Sequence, residues 1–330
     1  MQQINCRDER VRVEGLYRFY ETGQFRRYTD EIVAAYPRLA EFDKRSTGAR
    51  LRFRTDSGKI RVEIRVTNRF MDMGMSFFQA NAGYIFTGDY PAASYAAIMI
   101  APDTYESDTV AAEIPNRGMN DITVFFPRNP TVEDVNVFIE DGAVILPPTP
   151  HRLTRPFVFY GSSITEQGLT STPFAYASLL SRFFDADFYN FGASGNARGE
   201  PEIAEYLGGI PKSVFFYDYD HNAPTAAHLR DTHEAFFKAF RSADPATPVI
   251  MTSRPADDTC ETAERREIIK TTYLNAKAAG DQNVYFIDGL TLFGDADPAL
   301  CTTDRTHPND LGHYRMARTL ASFIKKNVIV

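Results

Sequence analysis

The chain has few cysteines, no long apolar run and no surplus of positive charge, and each shortage excludes something. Three cysteines in 330 residues, Cys6, Cys260 and Cys301, are too few and too scattered for a disulfide framework or a zinc site. They fit a reducing compartment. No run approaches the roughly 18 consecutive apolar residues that a membrane-spanning helix needs. A formal net charge of −7 leaves no concentrated basic face for nucleic acid or an anionic membrane surface. Residues 1–10 are polar and charged, so they are not the apolar core of a signal peptide. Cytoplasmic placement is the expectation.

What is present is ordinary for a globular protein, with 43% hydrophobic and 24% charged residues. The length suggests about two domains. The character of the chain changes near residue 150. Before that point, residues 49–55 and 59–66 alternate charged with apolar side chains, the period of strands with one face in water. Asp56-Ser57-Gly58 between them has a tight-turn composition and predicts a hairpin. The runs 121–126 and 135–139 continue the theme, so residues 1–150 are expected to form an antiparallel, jelly-roll-like β-sandwich.

Pro147-Pro148-Thr149-Pro150 reads as a stiff linker. Beyond it, short runs at 157–160, 188–191, 214–217, 249–252 and 284–287 are apolar on both faces, as buried parallel strands require. Helical patterns, such as 226–241 and 261–279, lie between them. Residues 151–330 are therefore expected to form a three-layer α/β/α unit around a five-stranded parallel sheet.

Functional groups of such a sheet collect beyond the carboxyl ends of its strands. Ser163 follows the first run, Gly192-Ala193-Ser194-Gly195-Asn196 the second, and Asp218-Tyr219-Asp220-His221-Asn222 the third. Asp304 and His307 lie beyond the fifth, just before the last helix. A serine on a turn after a strand suits a nucleophile, and a His with an Asp three residues earlier suits its base and the group that orients it. All four clusters fall on one edge of the predicted sheet.

Gly161-Ser162-Ser163-Ile164, Gly195, Asn222 and Asp304-x-x-His307 resemble the four blocks of the SGNH (GDSL-type) hydrolases, in order and spacing. The upstream sandwich is similar to the N-terminal domain of two-domain carbohydrate acetylesterases in that superfamily. The resemblance implies a Ser163, His307 and Asp304 triad. It also implies an oxyanion hole built from the Ser163 and Gly195 N–H groups and the Asn222 side-chain amide. Two positions depart from the pattern: Ser162 stands where Asp is usual, and Asp220 where the third block usually has Gly. The implied activity is removal of short acyl groups, acetyl above all, from a small molecule or oligosaccharide, with no cofactor and no metal. The sequence carries no sign of oligomeric state.

Plainer roles stand beside these. Ser163 could cap the helix that follows, His307 could cap the last one, Asn222 could turn the chain before Pro224, and Gly195 could serve only a positive φ. Asp218, Asp220, His221, Asp304 and His307 could form a metal cluster, which would leave the serine without a role. His221, Asp220 and Arg254 are candidates for substrate binding, although a structural salt bridge suits Arg254 equally. Cys301 reads as packing, and His151, His228, His233 and His313 as surface or core. The α/β-hydrolases share the Ser…Asp…His order, but their Gly-x-Ser-x-Gly motif is broken here by Thr165. The alternative functions are a short-chain esterase or thioesterase of metabolites, and a carbohydrate-binding protein with an inactive hydrolase unit. In the latter, Tyr84, Phe86 and Tyr90 would stack on sugars.

Overall fold

The computed structural model describes residues 1–72, 74–101, 107–257 and 259–328. Among them, the first 150 residues build two antiparallel sheets. One runs Gln2–Asn5, Thr131–Ile139, Lys59–Thr67, Thr109–Pro115 in spatial order. The other runs Ile145–Leu146, Arg50–Thr55, Asn120–Phe125, Gly83–Thr87, Ser94–Met99, with Arg12–Glu14 also paired to Arg50–Thr55. Alternation decides which faces meet. Ile60, Val62, Ile64 and Val66 point inward against Leu51, Phe53, Ile122 and Val124 of the facing sheet, while Lys59, Arg61 and Arg65 face water. Burying each such aliphatic side chain contributes roughly 1.5–3 kcal/mol.

The expected hairpin does not form. Arg50–Thr55 and Lys59–Thr67 lie in opposite sheets, and Asp56-Ser57-Gly58 arches between them. The arch is held by side chains from other loops: Asn116 Nδ2 donates to the carbonyls of Thr55 and Ser57 (3.2 and 3.0 Å), and the Gly58 N–H donates to Glu140 (2.7 Å). Both strands need their apolar faces in one core, and crossing between sheets achieves that as well as pairing would.

The charged face of Arg50–Thr55 also departs from expectation. Arg50 and Arg52 are buried. Arg50 pairs with Glu14 and Asp187, each at 2.9 Å, and Arg52 pairs with Glu14 at 3.0 Å. Both guanidinium groups lie over the Tyr90 ring, and that of Arg50 also over Phe188. This strand is covered on its second face by the other half of the molecule. Tyr84, Phe86 and Tyr90 are likewise buried, with the Tyr84 hydroxyl donating to Ser171 and the Tyr90 hydroxyl bonded to Ser181. They are packing residues, not a sugar-stacking surface.

The second half is the expected three-layer unit. Its parallel sheet has the spatial order Ala186–Gly192, Leu153–Gly161, Val214–Asp218, Val249–Thr252, Val284–Ile287. Helices Pro201–Gly209, Ala226–Ala243 and Thr262–Ala278 cover one face through Ile203, Leu207, Leu229, Phe236 and Ile269. Helices Tyr176–Phe184 and Asp310–Asn327 cover the other through Leu180, Phe184, Met316 and Leu320. The chain order reverses between the first strand and its neighbours, which opens a crevice at their carboxyl ends. The edge strand Ala186–Gly192 is closed by residues from the N-terminal half. Arg27 donates to the carbonyls of Asn190 (3.0 Å) and Gly192 (2.7 Å), and the Tyr28 hydroxyl donates to that of Phe191 (3.0 Å). An edge left open would present these unpaired groups to other chains. Among the described residues, no helix is long and apolar enough to cross a membrane.

Candidate active site

The first parallel strand ends at Gly161, and the one-turn helix Ser163–Glu166 begins two residues later. The transition is tight. A Cβ on Gly161 would lie 2.0 Å from the Asp218 carbonyl, and one on Gly192 would lie 2.3 Å from the Glu166 nitrogen. The two glycines let the helix seat against the neighbouring strand ends. Ser162 caps the helix by accepting from the Ile164 N–H at 3.2 Å, so capping falls to Ser162 and not to Ser163. Ser163 is left half-buried at the rim of the crevice.

The structure brings His307 and Asp304 to this serine. Ser163 Oγ lies 2.8 Å from His307 Nε2, and His307 Nδ1 lies 2.7 Å from Asp304 Oδ2. The other carboxylate oxygen of Asp304 accepts from the N–H groups of His307 (2.7 Å) and Thr306 (3.0 Å). Partial burial opposes ionisation of Asp304, but these donors and the imidazole outweigh it and hold its carboxyl below the usual range. An ionised Asp304 accepts a hydrogen bond from Nδ1–H, which leaves Nε2 as the acceptor for the Ser163 hydroxyl. The His307 and Asp304 side chains are 28% and 47% exposed, so the site is open to solvent.

Gly195 and Asn222 also reach this edge, in an arrangement the sequence did not disclose. The Gly195 N–H donates to Asn222 Oδ1 at 2.8 Å, and Asn222 Nδ2 donates to the Ala193 carbonyl at 2.7 Å. Asn222 is buried, and a buried amide must satisfy its acceptor as well as its donor. Gly195 has φ +68°, and nothing lies within 4 Å of the position a Cβ would take. Its glycine therefore answers to backbone conformation, with open space above it.

Asp220 and Arg254 pair with each other below the surface. Arg254 donates to Asp220 from its backbone N–H (3.0 Å), Nε (3.3 Å) and Nη2 (3.1 Å), and Arg265 donates to the Asp220 carbonyl at 2.9 Å. Both side chains are nearly inaccessible, so they tie the loops after the third and fourth strands together instead of lining a cleft. Burial opposes the charge on Asp220, but Arg254 beside it keeps the carboxyl below its ordinary range. An aspartate in place of the usual glycine thus has its own cation. His221 is half-buried in the same loop.

Asp218 has a different environment. Burial, and then the charge of Asp220, push its carboxyl up to about 7. Thr165 Oγ1 donates to it at 3.3 Å. Among the described residues, no group of His, Cys, Asp and Glu is arranged to hold a metal ion. Cys301 is buried, as are His233 and His313.

Sequence reasoning missed Glu166. Its carboxylate is fully buried, accepts from the Ser194 N–H at 2.9 Å, and pairs with Arg45 at 2.8 Å and Arg128 at 3.9 Å. A glutamate inside the serine motif was visible, but the two arginines stand 121 and 38 residues upstream, and nothing local announces them.

The three-layer α/β/α unit, with Ser163, His307 and Asp304 brought together beyond its strand ends, has the architecture of the SGNH hydrolases. The chain belongs to the GDSL-like lipase/acylhydrolase family, whose model matches residues 154–325, and is thereby an ester hydrolase. Solved structures share the whole architecture. A Bacteroides ovatus ATCC 8483 protein assigned as a GDSL-like lipase superposes with a TM-score of 0.86 at 21% identity, covering 99% of this chain and 98% of that one. A salicylyl-acyltransferase from a tetracycline biosynthetic pathway gives 0.78 at 18% identity, covering 98% and 97%. A family two carbohydrate esterase from Cellvibrio japonicus gives 0.64 at 12% identity, covering 99% and 98%. A search of curated protein sequences found no match.

Proposed function

We propose that the protein removes short acyl groups, acetyl above all, from a carbohydrate, through a Ser163–His307–Asp304 triad. The observation that carries this reading is the unbroken chain from Ser163 Oγ to His307 Nε2 and from His307 Nδ1 to Asp304, at 2.8 and 2.7 Å. His307 takes the Ser163 proton as Oγ attacks the ester carbonyl. The tetrahedral intermediate collapses as His307 protonates the departing sugar oxygen, leaving an acyl-enzyme. Water, deprotonated by His307, then releases the acid and restores Ser163.

The developing oxyanion is held by the Ser163 N–H and by the second hydrogen of Asn222 Nδ2, one hydrogen being engaged by Ala193. The Gly195 N–H joins them through a bifurcated bond that keeps Asn222 Oδ1 as its second acceptor. An open site suits an ester carried on a large polar molecule, since a long acyl chain needs an enclosed apolar channel. Residues 1–150 serve as the accessory unit and 151–330 as the catalytic unit.

Hydrolysis of p-nitrophenyl acetate, butyrate and octanoate, followed by acetylated sugars, by wild type and Ser163→Ala tests the reading. Turnover of acetate that fades with chain length and disappears in the variant supports it. Equal activity in Ser163→Ala removes the assignment. Absence of turnover on every ester brings forward the binding protein with an inactive hydrolase unit.

A further inference from the structure

Glu166 is a charged side chain with no exposed surface, and the triad makes no use of it. Its position is unusual in what it joins. It ends the same one-turn helix that Ser163 begins. One of its oxygens accepts from the Ser194 N–H, the residue before Gly195. The other faces Arg45 and, more distantly, Arg128. Both arginines come from the N-terminal half. The Arg45 guanidinium lies over the rings of Phe42 and Phe70, at 4.4 and 4.9 Å, which leaves it little freedom. Arg128 also pairs with Asp72 at 2.7 Å and donates to the Gly168 carbonyl at 3.2 Å. Gly168 in turn donates its N–H to the Ser163 carbonyl at 2.7 Å.

We propose that Glu166 is a positioning residue: it locks the Ser194–Gly195 loop to the helix that carries Ser163, and Arg45 and Arg128 of the sandwich half hold it in place. The inference rests on the ester-hydrolase reading above, because it supposes that Gly195 and Asn222 serve the oxyanion. A carboxylate accepts an N–H more strongly than a neutral group does, so the Ser194 peptide is held firmly. With that peptide fixed and Gly195 at φ +68°, the Gly195 N–H is aimed at Asn222. Oxyanion donors act only when pre-placed relative to the nucleophile, and a displacement of about 1 Å costs on the order of 100-fold in rate. A buried carboxylate persists only where cations compensate it, and the sandwich supplies two. The sandwich therefore acts on catalysis through this carboxylate, without itself having to touch the reacting ester.

The test uses the full chain as wild type, Glu166→Gln, and the double variant Arg45→Met/Glu166→Gln, which avoids leaving the Arg45 charge uncompensated if the single variant folds poorly. Two quantities are read: kcat and KM on p-nitrophenyl acetate, and the amide resonances of Ser194 and Gly195 in 15N-labelled protein. The expected result is a fall in kcat of about 10- to 100-fold with KM within about 2-fold, and displaced Ser194 and Gly195 resonances, in a folded variant. Wild-type kcat in either folded variant overturns the proposal. If wild type shows no Ser163-dependent turnover, the ester-hydrolase reading fails instead, and the resonances alone decide: unmoved Ser194 and Gly195 amides overturn the positioning role, and displaced ones sustain it.

Discussion

Arg50 and Asp187 meet at 2.9 Å, across the junction between the sandwich and the edge strand of the parallel sheet. The Arg50 side chain has no exposed surface, and Glu14 completes the cluster. Removing that cation leaves Asp187 without its ion-pair partner, while Glu14 keeps Arg52 at 3.0 Å. Arg50→Met is expected to lower unfolding free energy by about 3 kcal/mol or more. Lys59→Met, which breaks an exposed pair with Glu113, should change it by less than about 1 kcal/mol. Urea titrations of the two variants check the contrast.

Asp304→Asn preserves the shape of the acid but removes its charge. The asparagine amide disfavours the tautomer in which His307 Nδ1 donates and Nε2 accepts from Ser163. A drop in kcat of about 10³–10⁴-fold is expected, with little change in thermal stability. Steady-state kinetics beside a melting curve separate the two effects. Activity close to wild type would remove Asp304 from the triad.

Asp218 is a stability element with an unusual sign. Its folded-state pKa of about 7 lies above the unfolded value near 3.9. The folded protein therefore binds more protons in that window, and the stability from this group is lost as pH rises from about 4 to about 7. Asp218→Asn removes the ionisable group while keeping its size. The variant should gain melting temperature over wild type at pH 8, and much less at pH 5. A constant difference across that range would contradict the assignment.

His233 works in the opposite direction. Burial pushes its imidazole down to about 3, and its Nδ1 lies 2.8 Å from the Thr272 hydroxyl. The folded state keeps it neutral, while the unfolded chain takes up a proton below about 6.5. Its stability contribution is complete above that value and declines as pH falls toward 3. Burial lowers His313 to about 3 in the same way. His233→Gln should flatten the loss of stability between pH 7 and pH 4.5 relative to wild type, as followed by urea denaturation.

The parallel strands were legible because both-face burial leaves a local signature. Residues 249–252 and 284–287 read from pattern coincide with the strands Val249–Thr252 and Val284–Ile287. The clusters at Ser163, Asn222 and Asp304–His307 were legible for a related reason. Once strands alternate with helices, every strand-to-helix loop falls on one edge of the sheet. The pairing of Arg50–Thr55 was not legible, since period two reports that a strand has two faces and not what covers them. The latch between the Gly195 N–H and Asn222 Oδ1 was equally hidden, because an amide's orientation depends on neighbours from other loops.

The sequence by itself determined the local pieces: the rhythm of strands and helices, the turn after Gly161, and the order in which serine, glycine, asparagine, aspartate and histidine arrive at one edge. Periodicity and turn chemistry act over a few residues, so they are written into consecutive positions. Tertiary structure alone decided which charges are buried together. Arg45 and Glu166, separated by 121 positions, become partners only when the sandwich closes on the helix that carries Ser163. A charge can be removed from water only where its counter-charge is already in place, and that condition is set by the packed fold.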